Sequence, residues 1–316
     1  MCLVLLCLHC TCSDQLFNTN IWFTMSKKNL FLLLLILGTA FWGISFTFVK
    51  TGISVTSPFI FLFYKFLTAA VAVALWFYRQ IRLITFNTIR IGTLISIPLL
   101  AATILQTISL RYTPIGNAAF ITGFEVVLVP VLKFFIYKKP VKLNNWIACL
   151  LAVTGLFIIS AADQLRISYG DLLALACSFG FALYVLQVAH VSNEEHPIPA
   201  VIVLMLVCAV GCGLMALFDG DVNWVPADRD FWQAVLFAAL PATAFMYSVQ
   251  NAAQRYLPEE KIALVYLCEP VFATVAGVIF LHEALTERII FGGGFIIAAM
   301  VISELRLNWL KRLRRS

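Results

Sequence analysis

The feature that most restricts this chain is a succession of apolar stretches, most of them close to twenty residues long, with short connections between them. They cover 30–49, 59–78, 91–110, 115–136, 146–162, 172–191, 200–218, 231–252, 262–281 and 289–302. About 20 apolar residues in a helix cross the hydrocarbon of a bilayer. In lipid each backbone polar group needs a partner within its own segment, which the helix provides. Composition agrees, with 62% hydrophobic and 12% charged residues. Soluble domains average about 45–50% and about 25%. The expected fold is therefore all-α integral membrane, with ten transmembrane helices. The net charge of +6 is no nucleic-acid signal, because the basic residues sit between apolar stretches, where lipid headgroups would lie.

Lysine and arginine set the orientation, since they gather in cytoplasmic loops. With the N-terminus inside, fifteen basic residues fall on the cytoplasmic side and five outside, leaving Lys65 and Lys133 within spans. Both termini are expected in the cytoplasm, in a plasma or inner membrane. The tail 306–316 is basic and should meet anionic lipid. Residues 1–29 form a leader; 1–24 read as a mis-assigned start, with Met25-Ser26-Lys27-Lys28 the natural beginning. Of nine cysteines, five lie in apolar stretches as small hydrophobes, so no disulfide and no metal site is expected.

Two intramembrane carboxylates share an offset. Adding 144 places Gln106 on Gln250, Arg111-Tyr112 on Arg255-Tyr256, Pro114 on Pro258 and Glu125 on Glu269. For the first helices the offset is nearer 137, which places Gly43 on Gly180. The chain thus divides into repeats at 30–163 and 170–305. Each holds five helices, an odd number, so adjacent copies insert with opposite topology. Inverted repeats of this kind build secondary transporters, with the site near the midplane.

The motifs resemble the EamA-type ten-helix transporters of the drug/metabolite transporter superfamily. Phe41-Trp42-Gly43-Ile44-Ser45-Phe46 is similar to that family's opening helix, and Phe63-Tyr64-Lys65-Phe66 to its second, where arginine usually stands at the Lys65 position. Gly170-Asp171-Leu172 resembles the start of its second repeat, and Glu269-Pro270-Val271-Phe272 its ninth helix. The resemblance implies a secondary transporter, commonly an exporter of amino acids or other small metabolites. The first repeat departs from the pattern: Glu125 is followed by Val126, and a proline comes only at Pro130.

Charged residues inside a membrane are costly and mark functional sites. Glu269 and Glu125 are each a proton-titrating or amine-binding carboxylate, or a structural one. Lys65 binds a substrate carboxylate, pairs internally or snorkels. Lys133 is read as snorkelling to the interface. Trp42 walls a cavity or packs beside Gly43. Gln106, Gln250, Tyr247 and Asn251, with Tyr184 a weaker candidate, either line a cavity or tie helices together. Pro270 can kink its helix, and Gly43, Gly180, Gly292 and Gly293 allow close packing; a homodimer is left open. No catalytic residue, metal or cofactor is expected. The rival functions are import of a nucleotide-like metabolite and, in another class, a membrane-embedded lipid-modifying enzyme. The scattered His190, His196 and His282 speak against the enzyme.

Overall fold

A computed structural model describes residues 26–138, 140, 141, 143–160, 168–192, 196–220, 223–281 and 287–304, and among them there is helix and no strand. The leader 1–24, the tail 306–316 and the segment 282–286 lie outside the described residues. The helices are α1 (Lys27–Val55), α2 (Pro58–Trp76), α3 (Phe86–Ser109), α4 (Ile115–Thr122), α5 (Glu125–Tyr137), α6 (Leu143–Ser160) and α7 (Tyr169–Val191). After them come α8 (Pro197–Leu217), α9 (Arg229–Ala239), α10 (Met246–Ala253), α11 (Glu259–Tyr266), α12 (Cys268–Leu281) and α13 (Glu287–Glu304). A short 3-10 segment, Tyr78–Leu83, precedes α3, and a π segment, Leu240–Phe245, joins α9 to α10. Seven stretches of the described chain are long and apolar enough to cross a membrane, up to the one at Arg229–Ala253.

The starts are set by local chemistry. Thr85 and Thr88 form a capping box on α3, and Ser168 and Asp171 form one on α7. Such caps contribute about 1 kcal/mol each by pairing the first free N–H groups. Asp171 also accepts from the Thr113 hydroxyl at 2.5 Å, tying the turn after α3 to the start of α7. Its neighbour Gly170 must lack a side chain, because a Cβ there would sit 2.9 Å from the Cβ atoms of Tyr112 and Thr113.

Two rods are broken at the same point of the repeat. Between α4 and α5 the chain tightens at Gly123-Phe124, with Val126 N–H bonding the Gly123 carbonyl at 3.2 Å. Between α11 and α12 it tightens at Leu267, whose N–H bonds the Leu264 carbonyl at 3.2 Å. Gly123 and Leu267 are 144 residues apart, the offset that relates the glutamates. The sequence predicts unbroken spans here, with a kink at Pro270. The break instead precedes Pro270, which falls in the first turn of α12, where a missing N–H does no harm. Pro130 lies within α5 and leaves the Val126 carbonyl without its helical donor; the Cys149 thiol of α6 supplies one at 3.4 Å.

The helices of the first half pack chiefly on helices of the second. α6 pairs with α13, α3 with α7, and α2 with α8; α1 lies against α12 and α9, and α7 also covers α4 and α5. Gly43 is required where α1 meets α12, since a Cβ would stand 2.6 Å from the Ala273 nitrogen and 2.7 Å from the Glu269 carbonyl oxygen. Gly180 on α7 serves a different neighbour, α3, at Pro98 and Ala102. Gly292 is buried and Gly294 exposed; the surroundings of Gly293 lie outside the description. Rocking of one half as a block does not fit this packing, because each helix would leave its main partner.

Candidate functional site

The two broken rods and α1, α2, α3, α7 and the α9–α10 rod line one cavity, about 670 Å³ when the space open to solvent is included. Glu125 is the first residue of α5 and Glu269 the second of α12, so each carboxylate stands directly after the tightened turn of its rod. Both are buried, at 5% and 8% exposure, and both line the cavity. Lys65 reaches it from α2 and makes no ion pair with a described carboxylate. Three ionisable side chains with a formal sum of one negative charge therefore share one cavity.

Trp42 lines the same space, and its indole N–H donates to the Ala242 carbonyl at 2.5 Å. That carbonyl lies in the π segment that joins α9 to α10. The indole ring also meets Tyr247 and Tyr266 edge-on, at 5.6 and 5.0 Å between centroids. Trp42 thus both walls the cavity and fixes α1 to the π segment. Trp42→Phe is expected to lower stability by about 0.5–1.5 kcal/mol, the net contribution of one hydrogen bond, as read from the melting temperature in detergent.

Gln106, Gln250, Tyr184 and Tyr247 line the cavity as well. Asn251 does not. Its amide donates to the Tyr184 hydroxyl and to the Tyr247 carbonyl, each at 2.9 Å, and it borders a separate cavity of about 260 Å³. One position after Gln250 turns a helical side chain about 100° away, so Asn251 braces the wall from behind.

The snorkelling reading of Lys133 is overturned. Its ammonium lies 2.5 Å from Glu260 and 3.0 Å from Glu259, joining the end of α5 to the start of α11. The carboxylates come from the far side of the sequence, and pairing offers more than solvent exposure would.

Tyr266 was missed by the sequence analysis, although it precedes Glu269 by one helical turn and points into the same cavity. The signal was the i, i+3 spacing. Thr103 and Thr107 of α3 also line the cavity, but each hydroxyl donates to a carbonyl of its own helix.

The EamA-like transporter family matches residues 29–161 and 168–304, so its domain occurs twice in the chain. An uncharacterized transporter of Archaeoglobus fulgidus is 28% identical over 266 residues, covering 84% of this chain and 83% of that protein. The threonine/homoserine exporter RhtA of Escherichia coli is 27% identical over 208 residues, covering 64% and 66%. The uncharacterized transporter YwfM of Bacillus subtilis is 23% identical and covers 92% and 97%. A crystal structure of a protein at 15% identity superposes with a TM-score of 0.70, covering 88% of this chain and 98% of that one. At that identity the likeness speaks for the fold alone.

Proposed function

Because the chain belongs to the EamA-like transporter family, we propose that it is a secondary active transporter of a small polar zwitterion, an amino acid or a close relative, working in export. It is an integral membrane transporter, not an enzyme. The seven spans are joined by α6, the α11–α12 rod and α13 as three more, making ten, in two inverted repeats with both termini in the cytoplasm. The clasp of Lys133 with Glu259 and Glu260 then closes the cytoplasmic end. The cavity opens by alternating access, with the breaks at Gly123-Phe124 and Leu267 as hinges.

One observation carries the reading: Glu125, Glu269 and Lys65 converge on a single cavity. A zwitterion fits that set, its carboxylate on Lys65 and its ammonium on a glutamate. The charge left over suits one proton, which would couple transport to the proton gradient. The relative named as a threonine/homoserine exporter supports the substrate class.

The test is flux. Proteoliposomes loaded with labelled amino acids are expected to release them faster when a proton gradient is imposed. A ligand at about 100 times its Kd should also add about 2.7 kcal/mol of stability. Stabilisation by nucleotides alone, with no amino-acid flux, would favour the nucleotide-like metabolite instead.

A further inference from the structure

Most buried polar side chains around the cavity are already engaged. Asn251 is bonded to Tyr184 and Tyr247, the Gln254 amide donates to the Val185 carbonyl at 2.7 Å, and Thr103 and Thr107 close onto their own helix. Gln250 and Tyr266 differ. Gln250 is 0% exposed and neither its amide nitrogen nor its amide oxygen has a partner among the described residues. Tyr266 is 3% exposed and its hydroxyl is likewise unpartnered. Gln187 and Gln254 each keep one unpartnered oxygen, but neither lines the cavity, whereas Gln250 and Tyr266 both do. Buried polar groups are paired almost everywhere in proteins, and an exception calls for an explanation.

The geometry points to Gln250 and Tyr266 as a subsite that reads a neutral hydrogen-bonding group on the substrate side chain, a hydroxyl or a carboxamide. This rests on the amino-acid reading above. Glu125, Glu269 and Lys65 hold the charged ends. The amide of Gln250 offers both donor and acceptor, and the Tyr266 hydroxyl offers both again. Tyr266 stands one turn before Glu269, so the third group of a substrate held at Glu269 is read next to its ammonium. A hydroxyl or carboxamide satisfies these groups, and a hydrocarbon of the same shape strands them. Sites built to hydrogen-bond a group reject the analogue that lacks it, whereas purely apolar pockets discriminate isosteres poorly.

Threonine and valine are nearly isosteric and make the test. Initial rates of each are measured in proteoliposomes for the wild type, Gln250→Leu and Tyr266→Phe, with melting temperatures of the same preparations. The wild type is expected to carry threonine about 100-fold faster than valine, which at about 1.4 kcal/mol per tenfold is about 2.8 kcal/mol, within the cost of stranding a buried polar group. Each variant should cut that ratio at least tenfold, chiefly through slower threonine transport. Gln250→Leu should also melt at or above the wild-type temperature, because it removes a buried amide that no described residue pairs; a glutamine that only ties helices together would give a lower one. An unchanged threonine-to-valine ratio in both variants overturns the subsite, as does a wild type that carries both substrates equally. A wild type that carries no zwitterion at all overturns the amino-acid reading and the subsite together.

Discussion

Glu269→Gln is expected to slow zwitterion transport roughly 10- to 150-fold, the factor that corresponds to a charged hydrogen bond of about 1.5–3 kcal/mol. The amide keeps the shape of the side chain but can neither hold an ammonium by charge nor carry a proton. Glu125→Gln should fall in the same range. The double variant should lose less than the product of the two, because both carboxylates face one cavity and would share one ammonium. Lys65→Met is the informative contrast. It leaves two buried carboxylates with no cation among them, so it should lower the melting temperature as well as the flux. Adding Glu269→Gln to Lys65→Met removes one stranded charge and should recover the melting temperature without recovering transport. Unchanged flux and an unchanged response to the proton gradient in Glu269→Gln would remove the residue from the mechanism.

Lys133→Met tests the clasp. Removing one partner of a buried ion pair costs about 3–5 kcal/mol, because the other charge stays behind. Here two carboxylates stay behind, and the side chains keep 13%, 17% and 8% exposure, which points to the lower end, about 3 kcal/mol. At about 2–4 °C per kcal/mol, that is a fall of roughly 6–12 °C in melting temperature. Adding Glu259→Gln and Glu260→Gln to Lys133→Met leaves no charge unpaired and should recover most of the loss. A single variant that melts with the wild type would mean that the ion pair joins α5 to α11 without stabilising them.

Seven of the spans and the convergence of the two glutamates are legible because both follow from one-dimensional regularities. Apolar run length marks the helices, and the offset of 144 links Glu125 to Glu269. The helix breaks were not legible. Glu269 is followed by proline and Glu125 is not, yet both rods tighten at the equivalent position, so proline is not the cause. Lys133 was misread because its partners lie 126 and 127 residues away, beside a turn, where no periodicity connects them. Tyr266 was passed over as part of an apolar run, although helical spacing placed it on the Glu269 face. Asn251 was grouped with Gln250 by adjacency, and adjacency is what turns it away from the cavity.

The interleaved packing also bears on how the protein is made. Gly43 closes against the Glu269–Ala273 stretch, and those residues leave the ribosome more than two hundred positions later. At about 5–20 residues per second, α1 waits roughly 10–45 s in the membrane before its partner exists. For the later part of that interval both Lys65 and Glu125 have been made without the residues of α10–α12 that complete the cavity. The first half therefore spends that time with its packing faces uncovered, and a chain truncated after α6 would lack the main partners of α1, α2, α3 and α6.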